Sequence, residues 1–415
     1  MDVAEDRLTR RGLPIDRELR VLAIGSFATR LGGGAVMSTS AVYFTRHLGF
    51  SAAEVAVALS VAGLASLLAA LPAGHLGDVR GPREVLTRVM IGLAIVTPLP
   101  ALARSPLILA VALGLEAAFA SSANAVRNGI IAQIARGGRG VAFKAYLRAV
   151  TNAAIAGGSL VGGLALVLDT DAAYLVVFVL AGILVAFAAA NSTRLAHLPP
   201  SPRAAGEPRL HVLRDRPFVA TNLATSIYAL HFVAMELGLA LFITQRTSAP
   251  TVMVAVLLLV NTAMVTALQV RLSRSADTVA RGGNVLVRGA ALIAVGFACI
   301  GFAEGMPPWA AVTLLLAGAV VHVVGEILGS GGTWAIQMGL APHERQGQYQ
   351  GFASLNFSLM HVVGPPVVTL LCVQLGRFGW VLFGILVLAS AVLARRLAAW
   401  ALANRAAYGV VTHSG

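Results

Sequence analysis

The chain has 415 residues, of which 57% are hydrophobic and 12% charged, with 43 glycines and a mean hydropathy of +0.81. Soluble domains carry about 25% charged residues, so this composition excludes a soluble enzyme, a disordered chain and a disulfide scaffold, and leaves an integral membrane protein. The net charge of +13 is read by location, as a topology signal, and no nucleic-acid partner is expected.

A membrane-spanning helix needs about 20 mostly apolar residues. Twelve such runs follow one another at 19–45, 53–77, 84–103, 106–134, 142–168, 172–193, 217–245, 250–272, 284–304, 308–340, 346–374 and 378–404. Barrel strands would be near ten residues with strict alternation, and none is seen. The glycines are compatible with helix in lipid, where small residues allow close packing. The reading is an all-α integral membrane protein of twelve transmembrane helices in two parallel six-helix halves. Its parts are an N-tail (1–18), a first half (19–193), a linker rich in Pro and Arg (194–216), a second half (217–404) and a C-tail (405–415). The N-terminus carries acids and arginines before any apolar run, which is not the pattern of a cleavable signal peptide.

The two halves look related. At a shift of 199, Val55-Ala56-Val57 meets Val254-Ala255-Val256. At 200, Val85-Leu86 and Arg88 meet Val285-Leu286 and Arg288. At 206, Arg139 meets Arg345 and Gly158 meets Gly364. Order is kept, as in a parallel duplication of six helices, one of the described transporter plans.

Thirty of the 31 basic residues are Arg, and Lys144 is the only lysine. Of the 29 basic residues outside the spans, 25 fall on the side of the tails, the linker and the 2–3, 4–5, 8–9 and 10–11 connections. By the positive-inside rule both termini are cytoplasmic, and the expected location is the cell inner membrane. Trp309 and Trp380 fall at outer helix ends and Trp400 at an inner one, as interfacial belts would. Cys299 and Cys372 lie in apolar runs without paired spacing, so neither a disulfide framework nor a metal site is expected. No Walker loop, H-E-x-x-H or nucleophile elbow occurs, so the chain is not read as an enzyme, and no cofactor is expected.

The 2–3 loop reads Gly74-His-Leu-Gly-Asp78-Val-Arg80-Gly81-Pro-Arg83. It resembles the signature loop of the major facilitator superfamily, departing from it at Val79. Span five reads Gly158-Ser159-Leu-Val-Gly162-Gly163 and is similar to the Gly-Pro-x-x-Gly-Gly motif of the family's drug:proton antiporters, with Ser159 at the proline position. The resemblance implies that Asp78 pairs with the helix N-terminus of span eleven, near Gly347, as a cytoplasmic gate. It also implies that the span-five glycines pack against the other half. Physics alone allows Asp78 a plain capping role and the glycines plain packing.

Charged and imidazole groups inside the spans are costly and face a cavity or a partner. Arg30 is in span one, Glu116 in span four, His231 and Glu236 in span seven, and His322 and Glu326 in span ten. The resemblance implies that these four spans line a central cavity. Glu116 stands where proton-linked relatives often carry an Arg. His322 and Glu326, four apart, share a helix face. His231 and Glu236, five apart, are separated by roughly 140° and need not. Glu326 is favoured over Glu116 as a proton carrier, because His322 is a titratable neighbour while Arg30 could neutralise Glu116.

The functional expectation is a secondary active transporter working by alternating access, exporting a small organic molecule, a drug or a secreted metabolite, against protons. A proton-coupled importer of a nutrient or anion is the alternative. A transport-inactive receptor or scaffold has no need of six costly groups on four spans. The expected partners are the small-molecule substrate, protons and the lipid bilayer, with a monomer as the working unit. The topology is tested by cysteine labelling from outside: a Cys at Ser201 should be protected and one at Ser105 modified. The reverse pattern overturns the orientation.

Overall fold

The computed structural model describes residue 14 and residues 16–135, 138–200, 210–273, 276–404 and 407. Most of the predicted N-tail, the middle of the linker (201–209) and most of the C-tail lie outside the described residues. No β-strand occurs among those described. Eleven helices among them have the length and apolarity to cross a membrane: α1 (Arg17–His47), α2 (Ala52–Arg80), α3 (Pro82–Leu102), α4 (Pro106–Ile134), α5 (Gly138–Leu168), α6 (Asp171–Ser192), α7 (Arg216–Arg246), α8 (Met253–Leu272), α9 (Val279–Gly301), α10 (Pro308–Leu340) and α12 (Gly376–Asn404). Between the last two lies α11, Gln346–Val368 continued by a π-turn over Thr369–Gln374. Its early part buries Gln346, Gln348, Gln350 and Asn356, and only Val362–Gln374 reads as an apolar stretch.

Local chemistry starts these helices where the sequence allows. Ser51 and Glu54 form a capping box before α2. Ser105 caps α4 ahead of Pro106, Asp215 caps α7 ahead of Pro217, and Thr170 and Thr278 cap α6 and α9. Gly81 turns the chain between α2 and α3 at φ +93°, a backbone conformation open to glycine.

The chain divides into two compact units. The first comprises Met1–Ala135, Leu147–Leu210 and His343–Leu355, and the second comprises Arg136–Tyr146, His211–Pro342 and Asn356–Gly415. The first turns of α5 thus sit with the second unit, where Val141 packs with Ala276, Val285 and Ala335. The first turns of α11 sit with the first.

In the first unit α2 packs on α4, α1 on α6, and α3 on both α4 and α6. Tyr43 stacks on Tyr174 with ring centroids 5.1 Å apart, and its hydroxyl donates to the Ala101 carbonyl at 3.0 Å. Above this cluster His47 bridges two carboxylates, Asp169 at 3.0 Å and Asp171 at 2.6 Å. Asp169 also accepts from the Tyr174 hydroxyl at 2.8 Å and adopts φ +46° in the tight α5–α6 turn.

In the second unit α9 packs along α10 and α12. The α9–α10 contact is a seam of facing glycines. A Cβ on Gly282, Gly289 or Gly296 would lie 3.0, 2.6 or 2.7 Å from the carbonyl oxygen of Gly332, Gly325 or Gly318. Each helix presents its glycines every seventh residue, in opposite order, so the two antiparallel backbones touch at three levels. Beside the seam Phe297 stacks on Phe383 at 5.5 Å and meets Trp380 edge-on at 5.1 Å. Trp380 is therefore fully buried, which corrects its predicted place in an interfacial belt: the aromatic cluster of the unit encloses its ring. Trp309 and Trp400 are exposed. At the end of this unit Glu304 accepts from Arg246 Nη1 at 3.3 Å and from the Arg377 backbone N–H at 2.6 Å.

The hydrogen bonds from His47 and Tyr174 hold the Asp169 carboxyl below its ordinary range. A lowered carboxylate contributes stability that is complete above the unfolded pKa and is lost as pH falls through the folded one. Asp169→Asn should lower the Tm of purified protein near neutral pH, and the gap to wild type should narrow in acid below the usual carboxylate range. A pH-independent gap would assign the effect to the backbone of the turn.

Candidate transport sites

The first unit holds a cavity of about 190 Å³ lined by Thr29, Arg30, Gly33, Met37, Thr97 and Glu116, among others. Arg30 comes from mid-α1, where Gly33 leaves the wall open, with nothing within 4 Å of where its Cβ would stand. Glu116 comes from mid-α4 and is half-buried, while Arg30 is exposed to the cavity. The two groups face one space without an ion pair between them: the salt bridges among the described residues include neither. Arg30 and Glu116 thus form no ion pair in this structure. About three turns further along α4, Arg127 donates to Asn124 Oδ1 at 2.8 Å and lines a second, smaller recess with Ser26 and Asn191.

The second unit gathers His231 from α7 with His322 and Glu326 from α10. His231 Nδ1 lies 3.2 Å from His322 Nε2, and His322 Nδ1 lies 3.7 Å from Glu326 Oε2. Asn261 of α8 donates to the same carboxylate oxygen at 3.2 Å. All three predicted residues are buried. Phe297 stacks on His322 at 5.3 Å and Tyr228 meets His231 edge-on at 4.8 Å, so both rings are held from the side. Glu236 stands apart: it lies on a π-turn, Ala234–Gly238, within α7, and is exposed.

At the end of α2, Asp78 is buried, and its two oxygens accept the backbone N–H groups of Gly347 at 2.8 Å and Gln348 at 2.7 Å. These are orphan donors in the first turn of α11, where a carboxylate also meets the positive end of the helix dipole. Residues 269 apart in sequence thus meet inside the first unit. Glycines make the approach possible: a Cβ on Gly129 would lie 2.7 Å from Gly347 Cα, and one on Gly351 2.8 Å from the Ala70 carbonyl oxygen. Gly74 faces the Gly347 carbonyl in the same way. Gly81 shapes the turn that follows, Arg80 is exposed and Arg83 half-buried. The span-five glycines differ from the expectation. Gly158 and Gly162 press on the α1 backbone at Leu31 and Ala35, within their own unit, while Gly163 meets nothing within 4 Å. Their small size serves α1–α5 contact, completed by a Ser159 Oγ hydrogen bond to the Gly34 carbonyl at 3.3 Å.

Charge was the signal used to find site residues in the sequence, and it missed neutral ones. Asn222 Nδ2 donates to Asn356 Oδ1 at 2.7 Å, Ser226 Oγ to the same atom at 2.6 Å, Asn356 Nδ2 to Thr225 at 3.1 Å and Gln337 to Asn222 Oδ1 at 3.1 Å. This buried network ties α7, α10 and α11. Its trace in the sequence is the Asn222, Thr225, Ser226 stripe, polar residues three and four apart on an otherwise apolar helix.

Several solved structures share this fold at low identity. The human organic anion transporter MFSD10 (TETRAN) matches at 14% identity and a TM-score of 0.70, over 91% of this chain and 99% of that one. A bacterial homologue of the iron transporter ferroportin, in an outward-facing state, matches at 18% and 0.69, over 94% and 100%. The E. coli fucose:proton symporter FucP matches at 12% and 0.67, over 92% and 98%. No curated protein matches the sequence. The profile of the Major Facilitator Superfamily matches residues 22–365, more than half of the chain, and with the helical fold and the Asp78 loop it places this protein in that family of membrane transporters.

Proposed function

We propose that the protein is a proton-coupled exporter of a small organic molecule, working by alternating access, with Glu116 as its coupling acid. It is a transporter and not an enzyme; direction, cargo and coupling ion belong to the proposal. The observation that carries it is the cavity of about 190 Å³ onto which Arg30 and Glu116 open without pairing. A carboxylate at a wetted cavity wall can exchange a proton with solvent. Glu326, buried and held by Asn261, has no such opening, and this reverses the preference drawn from the sequence. FucP, by its description a fucose:proton symporter, supports proton use on this fold. Export rests on the likeness of 158–163 to the antiporter motif. The working unit is a monomer in the cell inner membrane with cytoplasmic termini, and Asp78 serves as the latch that fixes the first turn of α11.

A cargo found by thermal-shift screening allows the test in proteoliposomes. Glu116→Gln should abolish flux driven by a pH gradient while equilibrium exchange of cargo stays measurable. Full gradient-driven flux in this variant removes Glu116 from the mechanism. Asp78→Asn leaves one backbone N–H facing an amide NH₂, a loss of about 1–3 kcal/mol for a buried donor. It should lower Tm and slow flux while cargo binding persists. Unchanged Tm and flux would reduce Asp78 to a passive loop residue.

A further inference from the structure

We infer that His231, His322 and Glu326 form a binding site for one resident divalent transition-metal ion of the zinc class, although the sequence suggested no metal site. One nitrogen from each ring and one carboxylate oxygen lie within 4.8 Å of one another, and all three residues are buried. Two imidazole nitrogens on a tetrahedral ion, each about 2.0–2.1 Å from it, stand about 3.3 Å apart. The closest nitrogens of His231 and His322 are 3.2 Å apart. Glu326 lies 3.7 Å from the other nitrogen of the His322 ring, Nδ1, so its carboxylate completes the set by turning toward the Nε2 side, where zinc takes a carboxylate oxygen as a ligand.

The donor set selects the ion. Two imidazoles and a carboxylate suit zinc, cobalt, nickel or iron and are a poor cage for calcium or magnesium, which prefer oxygen. The charge agrees as well, since two neutral rings and one carboxylate gain a compensating dication in a place where an isolated anion is strongly disfavoured. The surroundings are those of an oriented site. Phe297 and Tyr228 fix the rings from the side, Asn261 hydrogen-bonds the carboxylate from a third helix, and such outer partners tune metal affinity. Gly296 brings the α9 backbone against that of α10 at His322: a Cβ there would lie 3.0 Å from the His322 backbone nitrogen and 3.1 Å from its Cβ. Closed burial on all sides points to an ion held in place, joining α7 to α10, rather than to a cargo in transit.

The proposal is independent of the role of Glu116 and is tested without transport. Full-length, tag-free protein is stripped with a chelator and titrated calorimetrically with Zn²⁺, then with Co²⁺ followed by visible absorption. Wild type and Glu116→Gln should bind one ion per chain, with a tetrahedral cobalt spectrum and a rise in Tm. His322→Ala and Glu326→Gln should weaken binding at least about tenfold. His231→Cys keeps a ligand and should add a thiolate-to-cobalt charge-transfer band, a signature that a packing role cannot produce. It also guards against the alanine variant failing to fold. No saturable binding by wild type below about 100 μM, binding that survives in all cluster variants, or a cysteine variant that binds cobalt without the new band would each overturn the site. The first of these outcomes would leave the cluster as a hydrogen-bonded chain that passes protons only.

Discussion

Helices in lipid gain little from hiding apolar side chains from one another, so their association depends on how closely backbones can approach. Here that constraint is met by glycine. The facing triplets of α9 and α10 put carbonyl oxygens where side chains would otherwise stand. The same device brings α2 and α4 against the start of α11 and seats α5 on α1. These contacts carry no chemistry, yet they determine which chemical groups can meet. Asp78 reaches the N–H groups of Gly347 and Gln348 because Gly74 and Gly129 admit that helix end, and His322 stands beside α9 because Gly296 has no side chain.

Polar groups are then distributed by what surrounds them. In the first unit Arg30 and Glu116 open onto a cavity and remain unpaired with each other, an arrangement suited to meeting something that enters. In the second unit histidines, amides and a carboxylate are drawn into a closed, mutually hydrogen-bonded interior. These two clusters thus treat polarity differently, Arg30 and Glu116 opening onto a cavity and His231, His322 and Glu326 being enclosed. The outer clasps repeat the theme with different chemistry: an imidazole between two aspartates in one unit, and a glutamate between two arginines in the other.

Eleven of the helices were legible in the sequence because lipid demands long apolar runs and tolerates few exceptions, whereas the run read at 346–374 holds a helix whose early part is polar and buried and whose apolar stretch is only Val362–Gln374. The candidate residues were legible for the same reason: an Arg or Glu in such a run stands out. Partnership was not. That Glu326 would meet Asn261, and Arg30 leave Glu116 alone, depends on helix rotation, which apolar runs without a polar face leave open. Trp380 was misplaced because a tryptophan near a helix end serves an interface or a core equally well, and only its neighbours, Phe297 and Phe242, decide. The seven-residue glycine spacing in α9 and α10 was visible in the chain, but its matching order becomes evident only when the two helices are laid antiparallel.

That matching has a consequence for assembly. A contact made by glycine backbones freezes no side-chain rotamers, so closing it forfeits little conformational entropy beyond the helices themselves. Helices α9 and α10 are also neighbours in sequence, separated by the short turn between Gly301 and Pro308, so the loop-closure term is small. The pair is therefore suited to enter the bilayer as a finished hairpin during synthesis. It would offer His322 and Glu326 on a settled surface against which α7, α8 and α12 find their register.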